Sequence, residues 1–178
     1  MYPLYCMNLK KKHLNLTEVV TMLLDPKSLV ESQYFPSVLH ENVEIQAEYG
    51  ADNRESHEFD FRGWSIAFKP DQIIDERVYE LKVRRPYTKI ADMRAWAYVQ
   101  GLLQAYMLGK SRFVVIVVSY NPSERSKRVE VEREFSVVES EAVKYLNEAI
   151  DRFETLRNIL TPFVDKNALD ALFITQDQ

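Results

Sequence analysis

Three charged residues stand where a β-sheet would ordinarily carry apolar ones. They are Asp71, Glu80 and Lys82, within residues 63–83. Glu80 and Lys82 are two apart, so on a strand they project from one face. Asp71 lies on the other side of an acidic turn signal, Asp75-Glu76, and a pair of strands joined there would aim it at the same spot. Two carboxylates and an ammonium group converging on one point of a sheet are costly to hold without a metal ion or a water to organise them. A Glu-x-Lys pair on a strand also has a bland reading, a solvated edge pair worth well under about 1 kcal/mol. The added aspartate is what favours chemistry.

The elements that must position this trio follow from the flanking pattern. Residues 64–68 read as a strand, with Gly63 permitting a bend before it and Pro70 marking a break after it. Residues 78–83 form the strand that carries Glu80 and Lys82. Upstream, Thr17 is expected to begin a helix that Asp25-Pro26 interrupts. A second helical piece is expected over residues 27–34 and a short helical turn over residues 37–41. Residues 43–49 alternate Val43, Ile45, Ala47 and Tyr49 with Glu44, Gln46 and Glu48, the pattern of a half-buried strand. Residues 57–61 form a short strand with Phe59 and Phe61 on one face. Lys10-Lys11-Lys12 reads as a solvated turn.

Downstream, residues 90–108 read as a long amphipathic helix with Met93, Trp96, Ala97, Leu103 and Met107 turned inward, capped by Gly109. Residues 113–118 are a β-branched run, the pattern of a strand covered on both faces. Residues 129–138 alternate as an outer strand. Residues 139–160 read as a second long helix with Ala142, Tyr145, Leu146, Ala149, Ile150 and Phe153 as its stripe, and the tail as a short frayed helix. The helical crossover between the strand of Glu80 and that of Val114 favours parallel pairing of the two. The expected class is α/β with a mixed central sheet flanked by helices, in a single domain over residues 1–178.

Composition narrows the setting. The chain has 178 residues with a formal net charge of −4, which does not by itself announce a nucleic-acid binder. One cysteine, Cys6, excludes a disulfide framework within the chain and fits a reducing, intracellular location. No segment reads as a membrane span or a secretory signal.

Pro70-Asp71, eight residues, then Glu80-Leu81-Lys82 is the signature order of the PD-(D/E)XK nuclease superfamily. His40 upstream, Gly63 before the aspartate, and the run from Gln100 through Gln104 to Tyr106 resemble its RecB-like branch, above all the CRISPR-associated exonucleases and their archaeal-virus relatives. The resemblance covers roughly residues 17–120. It implies a restriction-endonuclease-like core and a metal-dependent deoxyribonuclease. It also implies Mg2+ or Mn2+ held by His40, Asp71, Glu80 and the Leu81 carbonyl, with Lys82 beside the attacking water. Hydrolysis of a phosphodiester needs such an ion, and hard ions take oxygen ligands. Gln100, Gln104, Tyr106, Arg84 and Arg85 are the expected DNA contacts.

The chain departs from that pattern at three places. Leu102 stands where a glutamine is usual before the tyrosine. Asp25-Pro26 replaces a cysteine-proline pair, and residues 110–178 have no cysteine, so no iron–sulfur cluster is expected. Ser37 replaces a glycine. The expected activity is exonucleolytic, on single-stranded or end-bearing DNA, in the cytoplasm of a cell or of a virus's host. The alternatives are a nuclease-fold module that binds DNA or protein without cutting, and a resolvase-type endonuclease, which would act as a symmetric homodimer.

Overall fold

A computed structural model of the chain describes residues 9–31, 36–51 and 55–160, without the side chains of residues 30–31 and 36–41. The order is β1 (His13–Asn15), α1 (Leu16–Leu24), the helical turn α2 (Ser28–Glu31), α3 (Pro36–Glu48), β2 (His57–Phe61), β3 (Trp64–Phe68), β4 (Gln72–Ile74), β5 (Arg77–Arg84), α4 (Ile90–Met107), β6 (Arg112–Asn121), β7 (Ser126–Ser136) and α5 (Glu139–Leu160).

The strands divide into a three-stranded sheet, β1-β3-β2, and a four-stranded sheet, β4-β5-β6-β7. The division falls at Lys69-Pro70-Asp71, where proline has no N–H to continue a ladder. The turn at Asp75-Glu76 forms as expected, with Ile74 paired to Arg77 and Asp75 at φ 52. β5 and β6 pair in parallel along Arg77–Arg84, with α4 as the crossover between them. β2 and β3 join through Arg62 and Gly63, at φ 51 and 78 between the pair Phe61 and Trp64. Left-handed geometry at both positions matches the right-handed twist of a hairpin, and Gly63 takes it without strain.

One expected element is overturned. Residues 43–49 are not a strand; they belong to α3, which runs Pro36–Glu48 and includes the turn expected at residues 37–41. The alternation is coincidental. Ile45 is 3% exposed while Val43, on the supposed same face, is 60% exposed. Ile45 and Tyr49, one helical turn apart, pack together against Leu81, Val83, Ile116, Val118 and Tyr120. Smaller differences lie nearby. The first helix starts at Leu16 rather than Thr17, and the Glu18 carboxylate accepts the N–H of its N-cap residue, Asn15, at 2.7 Å. β1, only three residues long, pairs in parallel with β3 and is too short to show a period. Lys12 pairs with Glu154 at 3.1 Å. The helix expected over residues 27–34 is described only as Ser28–Glu31; the tail and Cys6 lie outside the described residues.

The main core lies among α1, α4, α5 and the two sheets, around the fully buried Trp64, Phe113 and Phe153. The α5 stripe buries Ala142, Leu146, Ala149, Ile150 and Phe153. α4 buries more than its amphipathic pattern implied. Ala97, Leu103 and Met107 are inside as expected, Met93 and Trp96 are half-buried, and Val99, Gly101, Leu102, Gln104 and Ala105 are also buried.

Candidate active site

β5 is covered on one side by β6 along its length, but β4 covers the other side no further than Tyr79, which pairs with Gln72. The next residues, Glu80 to Lys82, therefore run along an open edge. Side chains close it. Asp71, just before β4, accepts the Leu81 N–H at 2.6 Å. Gln46 on α3 donates its Nε2 to the Leu81 carbonyl at 2.9 Å.

Glu80 points under α4 and is 1% exposed. Its Oε1 pairs with Lys82 Nζ at 2.6 Å, and Lys82 Nζ also donates to Gln100 Oε1 at 2.7 Å. Gln104, one turn further along α4, lies against Glu80. Neither its amide atoms nor Glu80 Oε2 has a partner in good hydrogen-bond geometry. Gly101, between the two glutamines, lets α4 come this close. A Cβ there would lie 3.4 Å from Glu80 Cβ and 2.8 Å from the Phe113 ring.

The cluster is short of positive charge. Burial pushes the Glu80 carboxyl up to about 7; Lys82 and Gln104 oppose the rise, while the neighbouring Asp71 carboxylate adds to it. Burial also raises Asp71, against the Leu81 N–H, Lys82 and Lys69. The donor set suits a hard divalent cation: the carboxylates of Asp71 and Glu80, one oxygen of the latter buried without a well-aligned hydrogen bond, and a backbone carbonyl. Among the described residues no group of three or more acids, histidines or cysteines is gathered here or elsewhere. His40 lies on α3, but its side chain is outside the described set.

The structure thus brings together Asp71, Glu80, Leu81, Lys82, Gln100 and Gln104. A cleft of about 270 Å³ opens beside the two glutamines, which line it together with Asn15, Thr17, Phe68 and Lys69, while the acids and Lys82 lie outside its lining. Three expected DNA contacts are engaged with the protein instead. Tyr106 packs edge-on to Phe59, with ring centroids 6.0 Å apart. It sits two residues past Gln104, on the far side of the helix. Arg84 donates to Ser119 Oγ at 2.8 Å, to the Thr88 carbonyl at 2.8 Å and to Glu130 at 3.1 Å. Arg85 is 6% exposed, lies over the Tyr120 ring at 4.7 Å and donates to Asn42 at 2.7 Å. Sequence reading missed Gln46 and Asn42 because it placed residues 43–49 in a strand. The signal available was their spacing with Ile45 and Tyr49 on one helical face.

No protein-family model matches the chain, and no curated protein matches it in sequence. Among solved structures it is similar to an alkaline exonuclease, LHK-Exo, from Laribacter hongkongensis, with a TM-score of 0.52 and 12% identity over 89% of this chain and 96% of that one. LHK-Exo in complex with dAMP is similar to the same degree, with a TM-score of 0.50 and 14% identity over 89% of this chain and 95% of that one. At such identities the likeness is one of fold. The fold is α/β and restriction-endonuclease-like. Among the described residues no helix is long and apolar enough to cross a membrane.

Proposed function

We propose that the chain is a metal-dependent DNA nuclease, an exonuclease acting on single-stranded or end-bearing DNA. The observation that carries this reading is the meeting of Asp71, Glu80 and Lys82 at the open edge of β5, with a buried carboxylate oxygen of Glu80 that lacks a well-aligned hydrogen bond. No structural need explains a buried acid in that condition. The fold shared with an alkaline exonuclease, one solved in complex with dAMP, supports the reading.

In this proposal Asp71, Glu80 and the Leu81 carbonyl would hold Mg2+ or Mn2+, which would supply neutralisation of the phosphate charge and a lowered pKa for bound water. Lys82, fixed between Glu80 Oε1 and Gln100 Oε1, orients the attacking water and stabilises charge developing on the phosphate oxygens. Gln100 keeps the Lys82 ammonium group in place. Gln104, buried behind the cleft, lies against Glu80 and favours its charged form.

The test is degradation of linear DNA by purified protein with Mn2+ or Mg2+, set against Asp71→Ala, Glu80→Ala and Lys82→Ala. Each variant is expected to lose at least about 100-fold in rate, the scale of a positioned acid, base or charge. Undiminished activity in all three overturns the proposal. Cleavage of closed circular DNA would turn it toward an endonuclease, and DNA binding without divalent binding toward a module that does not cut.

A further inference from the structure

We infer that Gln46 is a positioning residue for the cation site, acting through the Leu81 carbonyl. The inference rests on the metal-dependent reading above. Leu81 presents both its N–H and its carbonyl to the edge that β4 leaves uncovered. A neighbouring strand would normally take both. Here Asp71 takes the first at 2.6 Å and the Gln46 amide takes the second at 2.9 Å. The donor comes from a helix, 35 residues upstream of the carbonyl it holds.

A carbonyl oxygen has two lone pairs. Gln46 occupies one and so sets the direction of the oxygen, leaving the other for a cation. A ligand aimed by a hydrogen bond before the ion arrives binds it more tightly than one free to turn. Gln46 is itself held. Ile45 beside it is buried in a small cluster with Leu81, Val118 and Tyr120, apart from the main core. One turn earlier, Asn42 accepts the Arg85 guanidinium at 2.7 Å, and that guanidinium lies over Tyr120. Ile45 and Asn42 thereby pin α3 against the face of the sheet that carries Leu81, and loosening α3 would release the carbonyl.

The test is calorimetric titration of the metal-free protein with Mn2+, beside thermal unfolding of the same samples. Four proteins are compared: wild type, Glu80→Ala, Gln46→Met and Gln46→Glu. Methionine keeps the length of glutamine and removes its donor. Gln46→Met is expected to weaken Mn2+ binding by about tenfold to a hundredfold while keeping the wild-type circular dichroism spectrum. Gln46→Glu places a carboxylate beside the ion; it is expected to bind Mn2+ at least as tightly as wild type, although its metal-free form unfolds at lower temperature. A purely structural role would lower the stability of both variants and leave both affinities alone. Mn2+ binding by wild type that is lost in Glu80→Ala but unchanged in Gln46→Met overturns the inference and leaves the metal reading standing. If Gln46→Met does not fold, Gln46→Leu takes its place, and Mn2+ binding by that variant as tight as by wild type overturns the inference. No binding by wild type overturns the metal reading and the inference with it.

Discussion

Asp71 Oδ2 accepts the backbone N–H of Leu81 at 2.6 Å, so the acid that faces Glu80 and Lys82 also closes the edge of β5. The two roles are separable by mutation. Asp71→Asn keeps a side-chain oxygen for the N–H and is expected to unfold close to wild type in urea while losing nuclease activity. Asp71→Ala leaves that N–H without a partner, at a cost of about 1–3 kcal/mol. Equal stability of the two variants would show that the hydrogen bond does not matter.

The Glu80 carboxyl gives a pH signature in the metal-free protein. Burial raises it from 4.5 to about 7. Below 4.5 both folded and unfolded chains hold the proton, and the Glu80 contribution to stability is fully present. Between 4.5 and 7 the folded chain holds a proton that the unfolded chain has released. Stability therefore falls as pH rises through this window, by up to about 1.4 kcal/mol per unit and about 3 kcal/mol across it. Asp71, also raised by burial, acts in the same direction. Urea unfolding from pH 5 to 8 in a chelator measures the slope. Glu80→Gln is expected to flatten it, and an unchanged slope in that variant counts against the assignment.

Gly101 lies where α4 meets β5 and β6. Alanine would gain about 1 kcal/mol in helix propensity. Its Cβ, however, would lie 2.8 Å from the Phe113 ring. That ring cannot move aside freely, because it stacks on Phe135 and meets Tyr98 edge-on. Gly101→Ala is expected to destabilise by about 1–3 kcal/mol through overpacking and to disturb Glu80 beside it. Thermal unfolding at or above the wild-type temperature would refute this.

Arg85 is committed to the fold rather than free for phosphate. Arg85→Ala is expected to cost about 1–3 kcal/mol, through the lost hydrogen bond to Asn42 and the lost contact with Tyr120. Lys89→Ala, at an exposed position in the following connection, is expected to stay within about 0.5 kcal/mol of wild type. Chemical denaturation of the pair decides it; equal stability would return Arg85 to the candidates for DNA contact.

The local grammar of the site is legible in the chain's neighbouring residues. Pro70 and the Asp75-Glu76 turn set the spacing of Asp71 and Glu80. A period of two placed Glu80 and Lys82 on one face, and the long crossover helix required β5 and β6 to run parallel. These are short-range or topological constraints, written in neighbouring residues. Which groups face one another depends on long-range packing. Residues 43–49 satisfy a strand period and contain good helix formers, and packing of Ile45 and Tyr49 against β5 and β6 selected the helix. That choice brought Gln46 to the Leu81 carbonyl. The same long-range packing turned Tyr106 toward Phe59 and Arg85 onto Tyr120, away from the acids, since which neighbours share a surface depends on how separate elements dock.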